Sequence, residues 1–544
     1  MKNTIFFPRA LGLLILLGCV FYGSSLFAQT GCGKGSPSSV TNKGKEFYIV
    51  FMQNEEEVND VGNPSLYQHI FLASDDSDAT VTVTCDAFPN NVDTFHLNKG
   101  QSTEFKISEK YPNDDYIVQN SGVISKKAIH IVSTSPIVCY GMNHKALTAD
   151  AFLALPLNVV ETGLTYKVLS YPNSHAQDLS VRVSEFAVAA FRDSTLVTIT
   201  PTAKTSANVR NVPFSVLLMH GECIQYQADV VGNQLIEDLT GSDIVANQPI
   251  AVYGGHQRTE VPFGGVFNSR DHLAESIAPF ATWGREFIVA GFVDSGNGLS
   301  GGELRIVSGS NDNTVTFGGN ITTPSFTLQS GEHRDVTIAP GTIASVKTTQ
   351  PSLLGIMSNS TSKGSGGGIG DPFLAIIPSV DQLYTDYTYF VSTDPVYQVK
   401  NASNNFLLVV TEMTGVGALV LTDSTGKQYT PAIADYSPRL SINGTSYSVL
   451  WFQHPIPGLW HIHTPNIYQR GINILAYGFG NVDSYGYTAG GLYVPKNGIV
   501  QIKKNAAAPY PGAPQVPVFG IQNVLGVPVY LDSMTITYSS NPEN

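Results

Sequence analysis

The sequence is poor in charge. Lys, Arg, Asp and Glu make up 13% of its 544 residues, about half the share of an ordinary soluble chain. What charge it has leans acidic, at a formal −13, and no cluster of Lys and Arg offsets it. Such a surface repels phosphate backbones, which excludes nucleic acid as the expected partner. Long stretches of Ala, Leu, Glu and Lys are missing too, and with them the material of long helices. Cysteine is scarce, five in all, and too widely spaced for a CxxC or CxxH zinc site. After the N-terminus no apolar run is long enough to span a bilayer. The polar end YSSNPEN offers no lipid-anchor tail.

What is present suits strands. Hydrophobic residues reach 42%, enough to build cores rather than disorder. Thr, Ser, Gly, Val and Tyr favour strands and turns. The length implies about three to four domains. Lys2 and Arg9 flank the start, LGLLILLGCVFYG follows from Leu11, and SLFAQT places a cut at Ala28–Gln29. Residues 1–28 therefore read as a secretory signal peptide, and the expected location is extracellular, with no membrane span after cleavage. Cys19 leaves with the signal. Cys32, Cys85, Cys139 and Cys223 remain, an even number that permits two disulfides in three connectivities. Cys85 and Cys139, both in strand-like runs of one segment, are the preferred pair. Sequons at Asn320, Asn359, Asn401 and Asn443 offer glycosylation positions.

The chain repeats itself. SPIVCYG at 135–141 returns as NQPIAVYGG near 250, as QPSLLGIM around Pro351 and as GINILAYGFG at 471–480. Other phrases recur in the same order. An aromatic strand opens each copy: GKEFYIVFMQN at 44, TYKVLSY at 165, WGREFIVAGF at 283 and DYTYFVST at 386. An alternating strand follows, such as ATVTVTCD at 79. Turns bearing Gly100, Gly221 and Gly331 come next. Linking phrases join one copy to the next: DAFLALPLNVVETG at 150, DHLAESIAPFATWG at 271 and DPFLAIIPSVDQL at 371. This order predicts an all-β chain built as a tandem array of about four antiparallel sandwich-like units, at 44–157, 158–278, 279–377 and 378–495. A closed, propeller-like arrangement is the alternative. Residues 496–544 read as a Pro/Ala-rich linker with a terminal β segment. In the opening phrase, Pro marks a strand start or edge, and the apolar run after it marks a strand buried on both faces.

No catalytic constellation emerges. GLSGG at 298–302 fits G-x-S-x-G around Ser300, but a nucleophile elbow needs a strand before the Ser and a helix after it. The pair His461 and His463 shares one strand face, with His454 the only local candidate for a third metal ligand. SDDSD at 74–78 lacks the glycine and Glu of a calcium loop and reads as a surface turn. The glycine-rich KGSGGGIGD lacks the GK[ST] of a phosphate loop. Glu46 and Glu286 recur in the aromatic strand of two copies, which points to a structural role. The expectation is no catalytic residue, no metal and no cofactor.

The phrases GKEFYIVFMQN, VSTSPIVCYG with DAFLALP, ANQPIAVYGG and GLWHIH…ILAYGFGNVDSYGYTAG resemble the IgGFc-binding protein N-terminal domain family. The likeness runs over about residues 44–495, and residues 477–490 are its most specific part. It implies a domain of secreted, mucus-associated and other extracellular proteins. The chain departs from the mucus protein in lacking cysteine-rich von Willebrand-type segments, so cross-linking of that kind is not implied. No binding residues carry over. The expected function is a non-enzymatic binding or adhesion protein that presents β loops to an extracellular protein or glycan. The alternatives are a secreted carbohydrate-active enzyme, which needs two carboxylates flanking a cleft, and a self-associating matrix or coat component.

Overall fold

The computed structural model describes residues 40–55, 67–145, 148–175, 181–230, 237–264, 269–293, 301–360, 370–394, 397–399, 402–464, 471–480, 483–496, 500–504 and 519–523. The expected signal peptide, Cys32, Ser300, residues 363–369, Asn401 and most of 496–544 lie outside them. The described chain is all-β in class, its strands in antiparallel sheets joined by loops and a few single helical turns.

Strands β1 (Gly44–Ile49), β2 (Tyr67–Ala73), β3 (Ala79–Cys85), β4 (Asp93–Leu97), β5 (Ser102–Lys106), β6 (Ile124–Ser125), β7 (Ile129–Lys145) and β8 (Thr148–Leu153) form the first group. All but β6 join one seven-stranded sheet around β7. In β3 the alternation works as the sequence predicts: Val81, Val83 and Cys85 are buried and Thr80, Thr82 and Thr84 are half-exposed. β7 serves two layers. Its first half, Ile129–Ser133, pairs with β1 and β3, and its second half, Val138–Lys145, pairs with β2 and β8.

Pro136 sits between the two halves, and this corrects its reading as a strand start. Against β1 the register jumps from Glu46↔Val132 to Gly44↔Ile137. The proline, which has no N–H to donate, occupies the bulge where the ladder lapses. The apolar run after it is buried throughout, as the sequence implies.

The second group holds β9 (Thr165–Lys167), β10 (Ser174–His175), β11 (Val181–Arg182), β12 (Ser184–Ala190), β13 (Thr195–Thr200), β14 (Phe214–Leu218), β15 (Cys223–Gln227), β16 (Asp243–Ala246), β17 (Ile250–Thr259) and β18 (Asp271–Ser276). One sheet runs β14-β13-β16-β9, and another runs β18-β17-β12-β15 and borrows β6 of the first group as its edge. Here the phrase is cut at Pro249, which precedes the strand as expected.

The third group is β19 (Gly284–Ala290), β20 (Gly302–Ser308), β21 (Asn313–Gly319), β22 (Phe326–Leu328), β23 (His333–Ile338), β24 (Ile343–Met357) and β25 (Leu374–Ile376). It repeats the first: a seven-stranded sheet around β24, with Pro351 in the same bulge opposite Gly284 and Glu286. The fourth group comprises β26 (Asp386–Val391), β27 (Gln398–Val399), β28 (Ala402–Ser403), β29 (Asn405–Glu412), β30 (Val420–Asp423), β31 (Gln428–Tyr429), β32 (Leu440–Ile442), β33 (Thr445–Gln453), β34 (Gly458–His463), β35 (Ile472–Phe479) and β36 (Ser484–Thr488). Its main sheets run β26-β34-β30-β31 and β32-β33-β29-β35-β36. β37 (Val500–Lys504) and β38 (Phe519–Asn523) pair with each other.

The groups touch in a closed cycle. The tyrosine of the repeated phrase supplies the link in three of its four copies. Tyr253 Oη donates to Tyr48 O at 2.6 Å, Tyr477 Oη to Val293 O at 3.1 Å, and Tyr140 Oη to Thr388 O at 2.8 Å. Each time the acceptor lies on or just past the aromatic strand of the preceding group, and for Tyr140 the preceding group is the fourth. In the third copy Gly355 replaces the tyrosine against Leu169, and Arg305 Nη1 donates to Ser170 O at 2.7 Å instead. The apolar cores straddle the same boundaries. One core joins Phe47 and Ile131 to Tyr389 and Trp460, and another joins Phe287 and Leu354 to Leu408 and Tyr477.

Candidate functional site

The four linking strands β8, β18, β25 and β36 pack together where the groups meet. Their outward-facing N–H groups have no common ladder, and three buried carboxylates accept from them instead. Asp150 Oδ1 takes Ala151 N at 2.8 Å and Gly486 N at 3.3 Å, and its Oδ2 takes Ala274 N at 2.9 Å and Leu374 N at 3.0 Å. Glu275 Oε1 takes Thr488 N at 2.9 Å and Ile376 N at 3.4 Å, and Oε2 takes Ser276 N at 3.1 Å. Asp271 takes Ala149 N and His272 N on one oxygen and Ser484 N on the other. Burial pushes all three carboxyls up, Glu275 to about 8, while the amides pull the other way. These groups are committed to the backbone, so the hub is a structural junction. The nearest cavity, lined by Leu153, Trp283, Leu353 and Tyr493, holds about 30 Å³, too small for a substrate.

The larger concave surface is an open groove of about 610 Å³, within the size range of ligand sites. Strand β4, the turn at Gly100 and β5 form one wall, through Phe95, His96, Gln101 and Thr103. Ser424 and Leu459 of the fourth group form the other. The turn is fixed by Gly100 N donating to Ser74 O at 2.8 Å and by Asp78 accepting Lys99 N at 2.9 Å. Phe95 packs on Phe105 with ring centroids 5.2 Å apart.

The sequence-derived candidates fall elsewhere. Cys85 and Cys139 are buried and unpaired, which corrects the disulfide expected between them. Cys85 lies opposite Ile129 and Cys139 opposite Leu72. Ten positions of β7, at about 3.3 Å each, separate those register points, whereas a disulfide needs Cα atoms within about 7 Å. Burial raises the Cys85 thiol to about 11 and Cys223 to about 12, away from thiolate chemistry. Asn320 is exposed after β21 and Asn359 is half-buried after β24. Asn443 sits at φ 46° in the β32–β33 turn, where its amide donates to Glu286 and accepts from Lys347 Nζ at 2.7 Å.

His461 and His463 do stack on one face of β34, at 5.6 Å. His461 bonds Asp386 at 3.0 Å. The Lys43 ammonium, 2.6 Å from Asp75 and 3.7 Å from Asp386, already stands among those carboxylates. His454 is fully buried against Trp460 at 4.5 Å, and burial lowers it to about 3. The turn SDDSD serves Lys43 and Lys99. Sequence reasoning missed the hub. Its signal was an Asp heading otherwise apolar linking phrases, at 150, 271 and 371.

The family model of the IgGFc binding protein matches residues 150–478, a stretch that runs from the first hub aspartate to the fourth copy of the repeated phrase. The chain belongs to the IgGFc-binding protein family. A human relative, named IgGFc-binding protein, is 25% identical over 301 residues, which is 54% of this chain and 5% of that protein. The chain thus matches a small part of the relative's length. Among solved structures, the pilus adhesin SpaC of Lactobacillus rhamnosus GG in its open conformation aligns over 78% of this chain and 56% of its own, at 9% identity and a TM-score of 0.08. That score is far below that of a shared fold.

Proposed function

We propose that this member of the IgGFc-binding protein family is a secreted, non-enzymatic binding protein that holds an extracellular protein or glycan in the groove between β4–β5 and the fourth group. One observation carries the reading. The hub carboxylates are engaged by backbone amides, while a sizeable concave surface is an open, mixed polar and apolar groove at a boundary between groups. Each strand group acts as one unit of the array, at 44–157, 158–278, 279–377 and 378–495, and the frame positions the loops that make contact.

The test is binding of the purified chain to glycan arrays and to immobilised extracellular proteins. Immunoglobulin Fc is the first to assay, because the human relative is named for it. Thr103→Arg and His96→Ala should weaken a detected interaction at least tenfold, with the circular dichroism unchanged. Blank arrays, or affinity indifferent to both variants, would remove the groove from consideration. Assembly that grows with concentration on sedimentation would favour the matrix reading instead.

A further inference from the structure

Outside the groove and the hub, two clusters among the described residues join lone-pair donors from two strand groups. In one, Asp75, Asp386 and His461, the Lys43 ammonium already stands, and the other has no lysine in it. Glu46 stands on β1, His130 on β7, and His220 on the turn between β14 and β15. One ligand atom from each lies within 4.8 Å of the others. His130 Nε2 is 3.3 Å from Glu46 Oε1. A tetrahedral ion with bonds of about 2.0–2.1 Å sets its ligands about 3.3 Å apart, so this pair already has the needed spacing. Two imidazoles and one carboxylate are the donor set of catalytic-type zinc centres. We propose that Glu46, His130 and His220 form a divalent-metal site of the zinc class that clips the second strand group to the first.

The surroundings are those of a built site. Tyr48 stacks on His130, with ring centroids 4.5 Å apart and planes 13° from parallel. Its hydroxyl lies 3.2 Å from His220 Nε2. The turn carrying His220 is pinned by His220 N donating to Asp193 at 3.0 Å and by Gly221 N donating to Ala190 O at 3.0 Å. A Cβ on Gly221 would come within 3.0 Å of Asp86 Oδ2 and 3.4 Å of the Tyr48 hydroxyl, so the turn is held close against the first group. Arg192 donates to Glu46 Oε1 at 3.2 Å. That is the same oxygen that faces His130, and a carboxylate oxygen has more than one lone pair, so the guanidinium can orient it as an outer partner, as second-shell groups do for metal ligands. His220 is exposed, which leaves an entry path.

The repeats supply an independent observation. In the third group Glu286 occupies the place of Glu46 opposite the same bulge, and the fourth group brings up Asn443 on a turn. A cation closes that clamp: Lys347 Nζ lies 3.8 Å from Glu286 and 2.7 Å from Asn443 Oδ1. In the first copy Val132 replaces that lysine, the Arg192 guanidinium reaches Glu46 from the second group instead, and two imidazoles are added beside it. The recurring Glu serves the frame, and the histidines are the local addition. Their spacing in sequence, at 46, 130 and 220, hides the set from motif reading.

The test uses the full, tag-free chain, stripped with chelator and dialysed against Zn²⁺. About one equivalent of zinc should bind and raise the melting temperature. His220→Asn keeps the hydrogen-bonding amide of the Asn443 clamp while removing the ligand, so it should fold, bind zinc at least tenfold more weakly and lose the metal-dependent rise. His461→Ala should bind as the parent does. No zinc uptake, uptake indifferent to His220→Asn, or uptake lost in His461→Ala would each overturn the assignment.

Discussion

Asp150 gathers amides from its own strand and from three others onto one carboxylate. Each buried N–H left without an acceptor costs about 1–3 kcal/mol. Asp150→Ala should therefore cost several kcal/mol, read as a collapse of the urea midpoint or loss of soluble protein. Asp150→Asn should be nearly as harmful, because its NH₂ would face an N–H donor. Glu275 carries a pH signature. Its carboxyl is raised from 4.5 to about 8 by burial, so the folded state holds the proton more tightly than the unfolded one. That contribution is complete below pH 4.5 and is lost as pH rises through about 8. The denaturation midpoint should fall across this window, and Glu275→Gln should flatten the slope. These residues were illegible in the sequence because a carboxylate within an apolar run contradicts the cost of burying charge. What offsets that cost is the convergence of four strands distant in the chain.

The strands themselves were legible. Threonine–valine alternation gave β3 its two faces, and the continuous apolar runs gave the buried halves of β7 and β24. The double duty of β7 and β24 was not legible, because a proline after polar residues reads the same at a strand start as in a bulge. The bulge also needs a glycine opposite it. A Cβ on Gly284 would lie 2.2 Å from Ser379, and one on Gly44 would lie 2.2 Å from Pro156. Gly284→Ala should cost about 1–3 kcal/mol through overpacking, measured as a drop in the urea midpoint. Gly426 has open space around it, so alanine there should cost only its positive-φ strain. Equal losses at the two sites would contradict the close-approach account.

At the scale of the molecule, the repeated phrases predict a succession of groups and leave a closed arrangement as the alternative to an open array, without naming the contacts that close it. Closure depends on Tyr140 meeting Thr388 and Ala489, and on Tyr493 N donating to Val40 O at 2.7 Å. Because the cores straddle group boundaries, heating should produce one cooperative calorimetric transition, and separate transitions would show the groups to be autonomous. A chain ending at residue 377 should fail to give a stable fold. Tyr253→Phe, which strips Tyr48 O of its buried donor, should cost about 1–2 kcal/mol. The hub sets an order in time as well. Asp150 is synthesised early, yet its last amide, from Gly486, emerges from the ribosome hundreds of residues later. Until then the early strands have no finished junction to settle into, which keeps the nascent chain pliable through most of its synthesis. A premature stop near the end thus dismantles the beginning.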